Sequence, residues 1–200
     1  MKKNFYFILI ILILVSCTKK IIPNEGYNQI NSKRAIDLLE LDKSNAKLLT
    51  PNNDYENELT LNDSVLKYND SLKSNYQKFI FKARPDKKYK IKVNSLCNCS
   101  GLKKYLFIPQ IIIKNSSNRN ITESDTTYFN YEKGPLSLNR VWNIENDILK
   151  ENKEIELLLF SDNSKLSENI YKFILNPIGF VPINVKSTLN GKYIIKIEEY

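Results

Sequence analysis

The sequence predicts an all-β protein, an antiparallel two-sheet β-sandwich of jelly-roll type over residues 59–200, preceded by a leader, a tether and one helix. Three observations carry this. Phe79, Phe81 and Ala83 alternate with Lys78, Ile80 and Lys82, and Tyr89, Ile91 and Val93 alternate with Lys88, Lys90, Lys92 and Asn94, the period of two that gives a strand one apolar and one wet face. Tyr, Ile, Phe and Val crowd the apolar runs, while Asn, Gly, Pro and Ser crowd the gaps. No helical stretch separates the eight or so runs, which favours a sandwich over a parallel α/β sheet. About 140 residues enclose one core and leave no room for a second.

Taken in order, the chain opens with Lys2-Lys3, an apolar run from Phe5 to Val15 and Leu14-Val15-Ser16-Cys17. A positive end, an apolar centre and small residues at the cut make residues 1–16 a secretory signal. Eleven apolar residues rise only about 16 Å as a helix, short of the ~30 Å hydrocarbon core, which disfavours an uncut anchor. A secretory signal without lipid is the remaining alternative. The cysteine directly after the small residue resembles the bacterial lipoprotein lipobox. That resemblance implies that Cys17 is acylated on sulfur, that the leader is removed before it and that the new amino end is acylated too. The implied partner is the lipid bilayer, since two or three acyl chains hold durably where one does not. Thr18-Lys19-Lys20 lacks the aspartate that resembles an inner-membrane retention signal and the acidic pair that resembles a surface-export signal. The expected location is therefore the periplasmic side of the outer membrane in a bacterial cell envelope.

Residues 17–31, with Pro23 and Gly26, are polar and patternless and read as a tether. Ser32 to Leu49 offers apolar stripes at helical spacing, through Ile36, Leu39, Ala46 and Leu49 or Leu38, Leu41 and Leu48. With Ser32 as cap and Pro51 beyond the end, one helix is expected there, and the Asn- and Asp-rich residues 50–58 are expected to connect it to the sandwich. The first strand pair is expected to turn at Arg84-Pro85-Asp86-Lys87, where Pro85 fixes φ and Asp86 favours the bend. Further strands are expected at Tyr105–Ile113, Thr126–Tyr131, Leu136–Ile144, Ile155–Phe160, Ile170–Leu175 and Tyr193–Ile197.

Leu59-Thr60-Leu61, Asn75 to Ala83, Lys88 to Val93 and Asn190 to Ile197 follow the order of a "polar, aromatic, x, x, Phe" strand, a Tyr-x-Ile-x-Val strand and a Gly-x-Tyr strand. In this the C-terminal part resembles bacterial pre-peptidase C-terminal domains. The resemblance implies an accessory module that binds or stabilises and does no catalysis. The chain departs from that pattern by inserting Cys97 to Gly101 and by lacking an Asp-rich calcium loop after the second strand.

Charge and composition narrow the function. The formal charge is +8, and +6 once Lys2 and Lys3 leave with the signal. Lys, Asn and Ile are abundant while Ala, Gly and His are scarce or absent, the stamp of an AT-rich genome, and basic residues are mixed with acids instead of forming a stripe. Nucleic acid is not an expected partner. The absence of histidine excludes Ser-His-Asp, Cys-His and His-metal chemistry, and no Gly-rich phosphate loop occurs. No Ser-x-x-Lys sits at a convincing helix start. Paired carboxylates remain as the hydrolase alternative: Glu123 with Asp125, Glu154 with Glu156, and Glu198 with Glu199. Neighbouring lysines there screen charge instead of raising a proton donor's pKa. The expectation is a protein with no catalytic residues, no metal and no cofactor, acting on an envelope protein or glycan partner.

Two further features leave alternatives open. With Cys17 assigned to lipid, Cys97 and Cys99 remain as a pair in a compartment that permits disulfides. Alternate α-carbons of an extended strand lie about 6.5 Å apart, so closure needs a local bend. The pair is a disulfide, two free thiols, or a redox-active or metal-binding pair that would make this a thiol-disulfide protein. Trp142 lies on one strand face with Leu138, Arg140 and Ile144. It is either the buried centre of the sandwich or, with Arg140, Tyr128 and Tyr131, a surface that stacks on sugar or peptide. Pro177 to Pro182 is an apolar loop that either docks a partner or covers the core.

Overall fold

A computed structural model describes residues 23–37, 45–100, 103–114, 121–122, 124–131, 136–144, 154–175 and 181–200. The leader, Cys17, Glu123 and residues 176–180, most of the stretch expected as a loop from Pro177 to Pro182, lie outside the described residues. In chain order the elements are α1 (Pro23–Ser32), β1 (Ala35–Asp37), β2 (Lys47–Leu48), β3 (Asp54–Leu59), β4 (Val65–Lys67), β5 (Lys73–Lys82), β6 (Tyr89–Leu96), β7 (Asn98–Ser100) and β8 (Lys103–Phe107). There follow β9 (Pro109–Lys114), β10 (Ile121–Thr122), β11 (Thr126–Asn130), β12 (Ser137–Asn143), β13 (Glu154–Ser161), a 3-10 turn at Asn163–Lys165, β14 (Asn169–Leu175), β15 (Val181–Thr188) and β16 (Gly191–Glu199).

The alternation read from the sequence becomes the two facing layers of a sandwich. One sheet runs β1-β4-β5-β13-β9-β10, with β2 also on β5, and the other runs β11-β12-β6-β16-β3. Phe79, Phe81, Ile111, Ile113, Ile155, Leu157 and Leu159 from the first meet Tyr89, Ile91, Val93, Trp142, Tyr193, Ile195 and Ile197 from the second, all buried. Each such side chain contributes roughly 1.5–3 kcal/mol by leaving water. The bend between β5 and β6 falls at Arg84–Lys87, closed by the Lys87 amide donating to the Arg84 carbonyl at 3.1 Å. Strand β13 lies inside its sheet and is apolar on both faces from Leu157 to Phe160, as a doubly covered strand must be, with Glu156 on its outer face nearer the start. Leu158 and Phe160 pack with Leu66, Tyr68 and Ile112 on the side away from the main core.

A third, four-stranded sheet, β14-β15-β8-β7, adds to the sandwich. It arises because the apolar run expected as one strand from Tyr105 to Ile113 divides at Ile108. Pro109 has no N–H to continue a ladder, so β8 joins the third sheet and β9 the first. Strand β15, unmarked in the sequence reading, pairs parallel with β8, bringing Val185 opposite Lys104 and Lys186 opposite Tyr105. Its inner face, with Val185 and Leu106, packs on Leu136 and Leu138 of the five-stranded side.

The expected tether over 17–31 and helix over 32–49 are corrected. The helix is α1, and within 32–49 the described residues form β1 and β2, with 38–44 outside the described residues. Pro23 stands in its first turn, where a missing N–H costs nothing. Ile30 is buried against Leu61, Val65 and Leu189. Ser32 does not cap a helix start but closes an end, its hydroxyl donating to the Gln29 carbonyl at 2.8 Å. The connector expected at 50–58 contains β3, an edge strand on β16 whose exposed acids Asp54, Glu56 and Glu58 hide its strand pattern.

Candidate functional site

The residues singled out in the sequence separate into structural groups. Cys97 and Cys99 are joined in a disulfide with α-carbons 5.2 Å apart. The bend this requires comes at the corner where the chain leaves β6 for β7. There the Cys97 amide donates to the Leu136 carbonyl at 2.9 Å. Cys97 packs against the Leu106–Leu138 cluster, whereas Cys99 is exposed in β7 opposite Lys104 of β8.

Of the two readings of Trp142 the buried one holds, and the alternative, a stacking surface of Trp142, Arg140, Tyr128 and Tyr131, is corrected, because β12 turns Leu138, Trp142 and Ile144 into the protein. Trp142 is fully buried between the two large sheets. Arg140 lies 5.7 Å from the Trp142 ring and binds inward: Nη1 donates to the Pro109 carbonyl at 2.9 Å, and Nε donates to Ser124 Oγ at 3.0 Å and Thr127 Oγ1 at 3.2 Å. It thus ties the five-stranded sheet to the start of β9. Tyr128 and Tyr131 are 48% and 55% exposed but face different ways. Tyr128 shares the outer face with its partner Asn139, while the Tyr131 ring lies 6.3 Å from Tyr171, which stacks on Phe129 at 4.2 Å. No platform joins the four.

Of the described carboxylates in the candidate pairs, all but Glu154 have local partners. Glu156 Oε1 lies 3.2 Å from Lys78 Nζ and 3.4 Å from Lys114 Nζ, all three buried or nearly so, and Glu154 is exposed at the strand start. Glu198 pairs with Lys92 at 2.6 Å, and Asp125 accepts the Asn143 amide at 2.5 Å. Glu199 bonds Arg84 and accepts the Tyr89 hydroxyl at 2.9 Å. Desolvation pushes the Glu199 pKa up, but hydrogen bonds from Arg84 and Tyr89 with the charges of Arg84 and Lys87 outweigh it, leaving the carboxyl below its ordinary value. A general acid needs the opposite shift. Among the described residues no three Cys, Asp or Glu side chains gather as metal ligands.

A different surface collects ligand-binding groups. Where β8 and β15 run parallel, a recess of about 280 Å³ is lined by Lys103, Lys104, Tyr105, Pro182, Ile183, Asn184 and Lys186. The β15 alternation builds it: Ile183, Val185 and Ser187 are buried, and Pro182, Asn184 and Lys186 face solvent. Aligned residues of a parallel pair share a face, so Lys186 stands beside Tyr105. Across the antiparallel pairing Lys172 of β14 lies opposite Asn184, extending the basic surface. None of the described lining residues is acidic. Sequence reasoning missed this site because its lysines come from strands far apart in the chain and resemble the lysines of an AT-rich composition. The alternation from Val181 to Ser187 was the one signal that could have found it.

No protein-family model matches the chain, and no curated protein matches it in sequence.

Proposed function

We propose that the chain is a lipid-anchored, non-catalytic binding module of the bacterial cell envelope, held through acylated Cys17 at the periplasmic side of the outer membrane and engaging an envelope protein or glycan there. The observation that carries the binding role is the chemistry of the β8/β15 recess. Ammonium, hydroxyl and amide donors stand against an apolar wall, with no carboxylate or thiol among its described lining residues to move protons or attack a substrate. The described members of the carboxylate pairs, bound to lysine, arginine or backbone or left in solvent, give a hydrolase no support. The resemblance of β5, β6 and β16 to the strands of pre-peptidase C-terminal domains points to the same accessory role.

The anchor rests on Leu14-Val15-Ser16-Cys17. Ile30 of α1 is already buried in the body, thirteen residues after Cys17 in the sequence. Detergent phase separation of membranes from expressing cells tests the anchor. The wild-type chain partitions into the detergent phase and Cys17→Ala into the aqueous phase. Equal partitioning of the two contradicts the anchor.

A further inference from the structure

We propose that the recess between β8 and β15 is a phosphate-ester site, taking a headgroup-sized ligand whose phosphoryl oxygens meet Lys103 and Lys186 and whose organic part rests on Pro182 and Tyr105. This rests on the reading of the domain as a binding module and names its ligand class.

Lys103 and Tyr105 of β8 share a face with Lys186 of β15, and neighbouring strands lie about 4.8 Å apart, so the ammonium groups of Lys103 and Lys186 are within reach of one ligand above the sheet. Among the described residues no carboxylate pairs with Lys103 or Lys186, whereas Lys78, Lys92, Lys114 and Lys196 each hold one. Two like charges on one face of the pair repel one another, and an anion of charge near two relieves that repulsion better than a single carboxylate. The donor type favours the same ligand. Lysine is a point charge that approaches a tetrahedral anion from any direction, and the recess lacks an arginine fork, the group that matches a planar carboxylate in two bonds. Asn184 and the Tyr105 hydroxyl stand beside the lysines as neutral polar groups suited to ester oxygens. At about 280 Å³ the volume falls at the small end of ligand sites, enough for a phosphate carrying a glycerol- or sugar-sized group. Pro182 gives that group an apolar wall. The same chemistry is presented by a phospholipid headgroup and by a soluble phosphate ester.

The test uses the full chain reconstituted in phosphatidylcholine nanodiscs, titrated calorimetrically with glycerol 3-phosphate and with glucuronate. A second set of discs contains phosphatidylglycerol at three parts in ten. Glycerol 3-phosphate is expected to bind at least tenfold tighter than glucuronate, and Lys103→Met and Lys186→Glu each to weaken it about tenfold or more. Lys192→Glu, on the exposed side of β16, leaves binding unchanged. If phosphatidylglycerol discs weaken the apparent affinity, the lipid headgroup occupies the site. If they do not, the source is a soluble ester, and the phosphate assignment holds in both cases. Equal or tighter binding of glucuronate overturns the phosphate class while leaving a binding module in place. No binding of either anion, or binding indifferent to both lysine substitutions in variants that melt like the wild type, overturns the site itself. Failure of the broader reading shows elsewhere, as equal detergent partitioning of wild type and Cys17→Ala.

Discussion

Replacing Glu156 by glutamine separates a structural acid from a catalytic one. The Glu156 side chain is 11% exposed and lies between Lys78 at 5% and Lys114 at 16%. All three stand on the outer face of the β5-β13-β9 ladder, beside Leu158 and Phe160. Glutamine keeps the shape and removes the charge, leaving two ammonium groups close together in a place with little water. Removing one member of a buried pair costs about 3–5 kcal/mol, because the desolvated partners lose the charge that offset their burial. For a chain of this length each kcal/mol moves the melting temperature by about 2–4 °C, so Glu156→Gln is expected to melt roughly 6–20 °C below wild type. Glu154→Gln, at an exposed position on the same strand, is expected to stay within about 0.5 kcal/mol. Thermal melts by circular dichroism, checked by urea titration, measure both. A loss under about 1 kcal/mol for Glu156→Gln refutes the reasoning. Partial recovery in Glu156→Leu/Lys78→Met would locate the cost in the charge instead of the shape.

Three further expectations follow from the same coordinates. Trp142, fully buried between the sheets, should emit at short wavelength and resist iodide quenching, and Trp142→Ala should cost about 3–5 kcal/mol; a red-shifted, freely quenched tryptophan contradicts its place in the core. The Cys97–Cys99 bond closes a loop of only three residues, so Cys97→Ser/Cys99→Ser should cost about 1–2 kcal/mol, and thiol titration of the unfolded chain should find the pair only after reduction. Glu199 carries a pKa depressed below its ordinary 4.5, so its stabilisation is present above that value and is lost as pH falls through the folded-state value. Urea midpoints between pH 3 and 6 should fall more steeply for wild type than for Glu199→Gln, and parallel curves would contradict the Arg84–Tyr89–Glu199 contact.

The sandwich was legible wherever one strand face is apolar. Phe79, Phe81 and Ala83 on β5 and Tyr89, Ile91 and Val93 on β6 are buried as their alternation requires. Alternation reports burial and says nothing of partners, so the division of Tyr105–Ile113 between two sheets was invisible, although Pro109 marks the place. Edge strand β3 was hidden because Asp54, Glu56 and Glu58 face water, and α1 because Tyr27 and Ile30 are its only sizeable apolar residues within the described structure. Arg140 shows the limit for sites: a charged residue beside a tryptophan suggests a ligand surface, yet its hydrogen bonds to Pro109, Ser124 and Thr127 make it an internal tie. The basic recess depends on the parallel pairing of β8 with β15, a long-range contact that no local pattern encodes.

The most direct measurement is the intact mass of the protein recovered from its own membranes. A chain beginning at Cys17 and heavier than residues 17–200 by a diacylglyceryl group, with or without a third acyl chain, is the expected result. An amino terminus at Met1, or a Cys17 of unmodified mass, would contradict a lipid-held envelope module.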